Sequence, residues 1–522
     1  MNLLNWLKDE KKLVWLIILS TIALRIPTLC IEIFNGDEAN FGTTAMVILN
    51  GGIPYVDFLE KKPPLIYYIY AFTFKIFTTD IRFVHFVTLL FVFGTEYFLF
   101  KTISMCFNKK AGLLAALFYG LFSIAFTEPD MWAANTEILM NFPLTISIYL
   151  FVRGEKRKSL ISFFLSGLFL MLGTMIKHQG GILYILFIVM LIYYGRSKGR
   201  NQLIKDFFQR GIIFFIGSLI PIILIIIYFN YKDSLKELYL WNIFYNFSYI
   251  TESPDLIDSI AKGLSMTFAF ILSCLILWIL AFYFYRKRNE IENFPKDIFF
   301  LFLVWLLVTI PAVSVGSRFF GHYYILFYPS ICVLGGLGAW HFLNQIEKHS
   351  KSTKKLFLIG LVLTPIFFEI FGISRLILGR GYQAVHPSIK EVGSVIQKES
   401  KPDDKIFAWG QFPYAYYYSK RLPASKFIAC EYVVPLWNDR YLKRKTYKPE
   451  YRDTYQINNM KILMEELNKN MPKLIIDVQG AKYIDNWVLY EIKLFPELNN
   501  FIKSHYKKFK TIEGIVIYKR SQ

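Results

Sequence analysis

Residues 13–31 read LVWLIILSTIALRIPTLCI, an apolar run that is close to the length of a membrane-spanning segment. A helix needs about 20 such residues to cross the hydrocarbon core of a bilayer. Lys8, Lys11 and Lys12 precede the run, and no cleavage site of small residues follows it. We therefore interpret it as a retained signal anchor with a cytoplasmic N-terminus.

Similar runs recur along the chain, which is 54% hydrophobic and only 19% charged over 522 residues. A soluble domain is usually less apolar and more charged. The sequence thus predicts an α-helical polytopic membrane protein with about eleven transmembrane helices. We place them near 13–31, 81–100, 111–127, 138–152, 159–176, 180–194, 211–230, 263–285, 297–315, 321–342 and 355–374.

The charged residues orient these segments. A net charge of +20 could suggest nucleic acid, but the basic residues lie in short loops between apolar runs, which is typical of membrane topology. Only eight of the loop cations fall on the predicted outer side: Lys61, Lys62, Lys75, Lys177, Lys232, Lys236, Lys262 and Arg318. If the apolar stretch 63–77 crossed the bilayer, every later loop would change sides and the excess of cations on the cytoplasmic side would be inverted. We therefore place this stretch on the membrane surface. We expect a multi-pass protein of the cytoplasmic membrane that does not bind nucleic acid.

The predicted outer side contains the first loop, 32–80, with its surface helices, an aromatic loop, 231–262, and the region 379–522. This last region alternates short strand-like runs with helix-like stretches, which favours a small α/β domain in the periplasm or outside the cell. Strands are expected at Lys405–Trp409, Lys426–Ala429, Leu474–Val478 and Gly514–Tyr518, and helices near 387–398, 455–468 and 496–506. The chain thus divides into a transmembrane domain, 1–378, and an extracytoplasmic domain, 379–522.

Three carboxylates on the outer side are candidates for chemistry. Asp37 and Glu38 follow the first span directly, and Glu137 lies at the mouth of a later one. Such groups can accept a proton or hold a metal ion. They can equally cap a helix, since acidic residues are common in a first turn. From the residues alone, both interpretations stay open.

Basic residues emerge on the same side. Lys62 lies in the first loop just before the apolar stretch 63–77, and Lys177 lies in a polar break between two apolar runs. Arg318 and His322 lie at the start of the span 321–342. Such groups can bind a phosphate. The alternatives are contacts with anionic headgroups and snorkelling of the arginine. Together, the acidic and basic groups suit a reaction that deprotonates an acceptor and neutralises a departing phosphate, in one cavity that faces the outer leaflet.

The motifs that contain these residues resemble a known family. They are Gly36-Asp37-Glu38, Lys62-Pro63-Pro64-Leu65, Asn135-Thr136-Glu137, Lys177 with Gln179, and Arg318-Phe319-Phe320-Gly321-His322-Tyr323. Their order resembles that of polytopic glycosyltransferases of the C-type fold, in the branch of protein O-mannosyltransferases and lipid A aminoarabinose transferases. The resemblance covers roughly 13–345, and Ile406-Phe407-Ala408-Trp409-Gly410 with Tyr416-Tyr417-Tyr418-Ser419 is similar to the outer domain of bacterial members.

This resemblance implies an inverting transfer of a sugar from a polyprenyl-phosphate donor on the outer face. Asp37 would be the general base, and Glu38 and Glu137 would position the acceptor or a metal ion. Lys62, Lys177, Arg318 and His322 would hold the lipid phosphate. The acceptor could be a glycolipid, a polysaccharide or a protein.

Two departures from the family leave a divalent metal cofactor open. Lys61 stands where bacterial relatives often have a histidine, and no clear DxD precedes Glu137. If a metal is present, Asp37 and Glu137 are its candidate ligands.

A transporter or flippase for a lipid-linked glycan is the main alternative. Transporters often carry inverted repeats and broken helices at the bilayer midplane. The sequence displays neither, and its ionisable candidates cluster at the outer ends of the segments, which favours the enzyme.

Overall fold

The computed structural model describes residues 3–127, 129–196, 200–247, 256–378, 386–434, 454–478, 480–481 and 491–521. Within these ranges the chain is mostly helical, with one small sheet near the C-terminus. Residues 248–255 of the predicted aromatic loop lie outside the described residues.

Eight described helices are long and apolar enough to cross a bilayer, so the predicted multi-pass membrane protein is confirmed. They are Glu10–Cys30, Ile81–Cys106, His178–Arg196, Phe207–Tyr231, Leu256–Ser273, Lys296–Ser317, Gly321–Asn344 and Lys351–Ile377. The other three predicted segments are also helical, as Lys109–Phe122, Thr136–Arg157 and Leu160–Ile176, but they are shorter or less apolar. The predicted segment 263–285 is broken at Cys274, and Leu275–Lys287 continues it.

Shorter helices complete the helical part. They are Leu3–Lys8, Gly36–Leu49, Leu65–Ile76, Leu235–Glu237, Leu238–Phe244, Arg288–Glu290, Ile346–Lys348, Pro387–Glu399, Tyr414–Ser419, Cys430–Tyr432, Thr454–Asn470, Ile492–Leu494 and Pro496–His505. Leu65–Ile76 has 12 residues. At 1.5 Å per residue it is about 18 Å long, which is well short of a bilayer core of about 30 Å.

The chain forms two packing units. The first contains Met1–Ile31, Val84–Tyr228 and Ser259–Ser374. Its helices approach one another closely at glycine residues, which have no side chain. A Cβ on Gly167 would lie 1.8 Å from the carbonyl oxygen of Phe214, and one on Gly217 would lie 1.9 Å from that of Phe164. Small residues of this kind allow helices to pack tightly inside a membrane, where dispersion replaces the hydrophobic effect.

The second unit contains Glu32–Phe83, Phe229–Asp258 and Arg375–Gln522. Hydrogen bonds join its three segments. The backbone N–H of Leu59 donates to the carbonyl of Lys426 (2.9 Å), and Asn242 donates to the Tyr55 hydroxyl (3.2 Å). Trp241 also packs edge-on against Tyr432. The first loop and the aromatic loop are therefore built into the same unit as the C-terminal region.

Tyr417 anchors the C-terminal region to the first loop. Its hydroxyl donates to Glu32 (2.9 Å) and accepts from the backbone N–H of Ile81 (3.0 Å), so one buried side chain binds both ends of that loop. Burial raises the pKa of this phenol, which keeps it a donor.

The C-terminal region contains a four-stranded mixed sheet in the order β1-β2-β4-β3, formed by β1 (Ile406–Trp409), β2 (Leu474–Asp477), β3 (Tyr506–Ile512) and β4 (Ile515–Arg520). β1 and β2 are parallel, and β4 is antiparallel to both β2 and β3. The predicted α/β domain is confirmed in class, with its three helices at Pro387–Glu399, Thr454–Asn470 and Pro496–His505.

Two details of that prediction are wrong. β3 was not predicted, because its residues 507–511 lack the alternation of apolar and polar residues that marks a strand; all five are exposed in the structure. Lys426–Ala429 forms no strand, because side chains take up its backbone donors. Glu466 accepts from the N–H of Lys426 (3.1 Å), and Ser425 accepts from that of Phe427 (3.2 Å).

Candidate active site

The two adjacent carboxylates of the first loop have different environments. Asn35 caps the helix Gly36–Leu49 and accepts from the N–H of Glu38 (3.2 Å). Glu38 is fully buried and accepts from the N–H of Phe34 (2.7 Å). This arrangement is close to a capping box, in which a glutamate in the first turn binds back to the chain before the helix. These contacts favour the capping interpretation for Glu38.

Asp37 instead faces a lysine. Its carboxylate is partly exposed and lies 3.4 Å from the ammonium of Lys62. The same ammonium lies 3.7 Å from Glu60 and 4.8 Å from the ring centre of Phe41. Asp37, Glu60 and Lys62 form what we call the loop cluster.

The backbone of Lys62 is held in place. Tyr55 donates to its carbonyl at 2.7 Å and Tyr67 at 3.1 Å, and both tyrosines are fully buried. Tyr55 itself has a left-handed backbone (φ 69°), which is costly for a residue with a bulky side chain. A strained residue that fixes a lysine is typical of a preorganised site.

Glu60 is a member of the loop cluster that was absent from the predicted site. It is buried, accepts from the side chain of Asn40 and from the N–H of Lys61, and faces Lys62. Burial raises the pKa of its carboxyl, and the Lys62 ammonium opposes that rise. Its position beside two consecutive lysines was the signal available in the sequence.

The first packing unit contains a second group of charged residues, which we call the helix-end cluster: the predicted site residues Glu137, Lys177 and His322, together with Asp130. Glu137 is fully buried in the first turn of Thr136–Arg157 and forms an ion pair with Lys177, the residue that ends Leu160–Ile176. Thr136 donates to the other oxygen of Glu137 (2.9 Å). The lysine ammonium lies 4.2 Å from the ring centre of Tyr323.

His322 connects two acids of this cluster. Its Nδ1 lies 3.3 Å from Asp130, and its Nε2 lies 3.9 Å from Glu137. The backbone next to His322 packs directly against Thr127 because residue 321 is glycine; a Cβ there would lie 1.8 Å from the Thr127 hydroxyl. No role was predicted for Asp130, although it lies in the acidic loop before Glu137.

Arg25 holds the segment that supplies Asp130. This buried arginine, in the first apolar helix, donates to the hydroxyl of Ser123 (3.0 Å) and to the carbonyl of Met131 (3.2 Å). Asn135 then binds the carbonyl of Asp130 (2.9 Å). The segment between two helices is therefore fixed by side chains as well as by its own backbone.

Arg318 lies in a strained connection between Lys296–Ser314 and Gly321–Phe327. It is buried, and its neighbours Ser317 and Phe319 both have left-handed backbones (φ 54° and 45°). Left-handed residues on both sides of a buried arginine cost conformational energy, and such strain is typical of functional segments. Gln179, the motif partner of Lys177, donates to the carbonyl of Ala312 (3.0 Å) and so supports the helix before this connection.

The candidate metal ligands belong to different packing units, Asp37 to the second and Glu137 to the first. In the part of the chain that the structure describes, no group of three or more His, Cys, Asp or Glu side chains converges so that it could hold a metal ion. A metal-binding role for Asp37 and Glu137 stays a prediction, and we assign no step of the reaction to a metal.

The fold has known counterparts among membrane enzymes. It is similar to that of ArnT from Cupriavidus metallidurans bound to undecaprenyl phosphate, with 12% sequence identity, a TM-score of 0.58 and 97% of both chains covered. It is also similar to that of the oligosaccharyltransferase from Archaeoglobus fulgidus tethered with an acceptor peptide, with 12% identity and a TM-score of 0.52, covering 99% of this chain and 75% of that one.

The sequence agrees with this class. Residues 61–229 match the family of dolichyl-phosphate-mannose-protein mannosyltransferases. No curated protein sequence matches the chain significantly. The family match and the shared fold confirm the resemblance to glycosyltransferase family 39-like enzymes of the C-type fold, and they support a membrane glycosyltransferase.

Proposed function

We propose that this protein transfers a sugar from a polyprenyl-phosphate donor to an acceptor on the outer face of the cytoplasmic membrane, with inversion at the sugar carbon. The observation that carries this proposal is the loop cluster, in which Lys62 is held between the carboxylates of Asp37 and Glu60. A base beside a preorganised cation suits a reaction that removes a proton from an acceptor while a phosphate leaves.

The reaction is a single displacement. The acceptor hydroxyl oxygen attacks the anomeric carbon of the sugar, and its proton passes to Asp37. The bond between that carbon and the phosphate oxygen breaks, and its electron pair stays on the polyprenyl phosphate. The leaving group thus gains one negative charge, which fixed cations stabilise more effectively than water does.

Lys62 links the donor to the base. Its ammonium is shared between Asp37 and Glu60. A donor phosphate would compete with these carboxylates for it. Because a lysine neighbour favours the ionised, weakly basic form of a carboxyl group, movement of Lys62 towards the phosphate makes Asp37 a better base. Donor binding therefore precedes deprotonation of the acceptor.

Lys177, Arg318 and His322 are proposed to take part in holding the lipid phosphate, and Glu137 to keep Lys177 in position through their ion pair. The match to an undecaprenyl-phosphate-bound fold supports a polyprenyl phosphate as the lipid. The acceptor is a glycolipid, a polysaccharide or a protein, as the sequence analysis predicted.

The test measures transfer of radiolabelled sugar from a panel of polyprenyl-phosphate donors in purified membranes. We expect Asp37→Asn to lower transfer by about 10²- to 10⁴-fold, the usual contribution of a general base. Asp403→Asn, which changes an exposed carboxylate of the same packing unit, serves as the matched control and should leave transfer unchanged.

Equal transfer by wild type and Asp37→Asn would exclude Asp37 as the base. If folded wild-type protein transfers no sugar from any donor, the enzymatic proposal is wrong, and transport of a lipid-linked glycan becomes the better interpretation.

A further inference from the structure

The second packing unit contains a cleft of about 410 Å³ that neither the motifs nor the proposed reaction uses. Its walls come from the end of helix Gly36–Leu49, the segment 422–426 and the end of helix Thr454–Asn470. This volume lies within the range of pockets that bind small molecules.

The cleft lies far from the loop cluster. Asp37 and the C-cap residue Asn50 are at opposite ends of one helix, so about 20 Å separates them at 1.5 Å per residue. A ligand that reached from one to the other would have to be extended.

The lining of the cleft is polar and positively charged. Lys405, Lys426 and Lys469 contribute three ammonium groups. Asn50, Ser425 and Asn470 also line the cleft, although the two amide nitrogens and the hydroxyl donate hydrogen bonds within the protein. The apolar lining residues are aliphatic, without an aromatic ring among them. This combination suits a hydrophilic anion better than an acyl chain or an apolar peptide side chain.

The two carboxylates of the cleft are already engaged by the protein. Asp57 accepts from the N–H of Ile53 (2.7 Å), and Glu466 accepts from Ser425 (2.6 Å) and from the N–H of Lys426 (3.1 Å). Among the described residues, none of the three cleft lysines forms an ion pair, and Lys405 donates a hydrogen bond to the amide oxygen of Asn470 (3.4 Å). No carboxylate of the described residues therefore neutralises the positive charges of these lysines.

We propose that this cleft binds an anionic carbohydrate, as a remote subsite for an extended glycan acceptor of the proposed glycosyltransferase. A carboxylate or phosphate on the glycan would meet the lysines, and sugar hydroxyls would meet the polar side chains around them. The assignment of this glycan as acceptor rests on the proposed function, whereas its binding at the cleft does not.

The test uses the purified full-length protein and four fluorescent oligosaccharides of equal length: oligogalacturonate, a phosphorylated mannan fragment and the neutral counterpart of each. Fluorescence anisotropy should show binding of at least one anionic probe, about tenfold tighter than its neutral counterpart and weakened by salt, as charge-assisted contacts require. The two anionic probes distinguish a carboxylate ligand from a phosphate ligand.

The double variant Lys426→Gln/Lys469→Gln should weaken that binding about tenfold. Lys507→Gln/Lys508→Gln, which changes two exposed lysines of β3 in the same unit, should bind as wild type does. Asp37→Asn should also bind normally even though its sugar transfer is strongly reduced, so that failure of the reaction and failure of the subsite are separate results. The proposal is overturned if neither anionic probe binds, if the neutral probes bind as well, or if both lysine pairs have the same effect.

Discussion

At the scale of single residues, the candidate site depends on pairs that the motifs did not indicate. Asp37 and Lys62 are distant in sequence, as are Glu137 and Lys177, yet each pair lies in contact within its packing unit. Each pair thus brings one predicted acidic residue against one predicted basic residue. Glu38 has the contacts of a capping residue, and its predicted catalytic role stays a prediction.

Glu60 gives the loop cluster a dependence on pH. Because burial raises the pKa of Glu60, the folded protein binds this proton more tightly than the unfolded chain does. The resulting stabilisation is fully present below the ordinary glutamate pKa and is lost as the pH rises through the raised value. We expect Glu60→Gln, which stays neutral, to gain in melting temperature relative to wild type as the pH rises across this window.

This expectation is checked by measuring thermal unfolding in detergent at a series of pH values. Glu465→Gln, at an exposed glutamate of the same unit, should follow the wild-type curve. Parallel curves for Glu60→Gln and wild type would show that Glu60 titrates normally.

At the scale of secondary-structure elements, helix contacts in the first unit depend on where glycine occurs. Gly167 and Gly217 each lie against a carbonyl of the other helix, in Leu160–Ile176 and Arg200–Tyr231. An apolar run predicts such a helix but not its neighbour. The close contact is decided by the pair of glycines, because a side chain at either position would push the two backbones apart.

Gly217→Ala should therefore destabilise the protein by about 1–3 kcal/mol, as overpacking of a well-packed contact does. Gly211→Ala, in the same helix, should be neutral or slightly stabilising, because its new Cβ would meet only Leu191 at 3.9 Å and alanine favours the helix. Thermal unfolding of both variants in detergent measures the difference, and equal melting temperatures would mean that the two helices do not pack through Gly217.

At the scale of the whole molecule, the described chain consists of a helical unit and a second unit that three separate segments build together. The second unit takes in the first loop and part of the aromatic loop as well as the C-terminal region. The division of the chain at residue 378 was predicted from composition and stays a prediction, as does the single cavity that would collect both clusters. The distribution of loop cations predicts that the C-terminal region lies on the extracytoplasmic side of the membrane.

This orientation can be measured by cysteine labelling in intact cells. In a background without the five native cysteines, Ser521→Cys should react with a membrane-impermeant maleimide. Ser350→Cys, at another exposed serine, which lies in a predicted inside loop, should react only after the membrane is opened. The reverse pattern would place the C-terminal region in the cytoplasm.

The sequence by itself determined the class of the protein, because crossing a bilayer demands long apolar runs that are visible without a structure. Its motifs, which resemble those of a known family, also indicated the candidate site residues Asp37, Glu38, Lys62, Glu137, Lys177, Arg318 and His322. Only the tertiary structure decided which of them meet, and it added Glu60 and Asp130 to the two clusters. It also revealed the edge strand β3 and the lysine-lined cleft. Contacts between distant residues depend on how helices and loops pack, and a local pattern of residue types does not encode that packing.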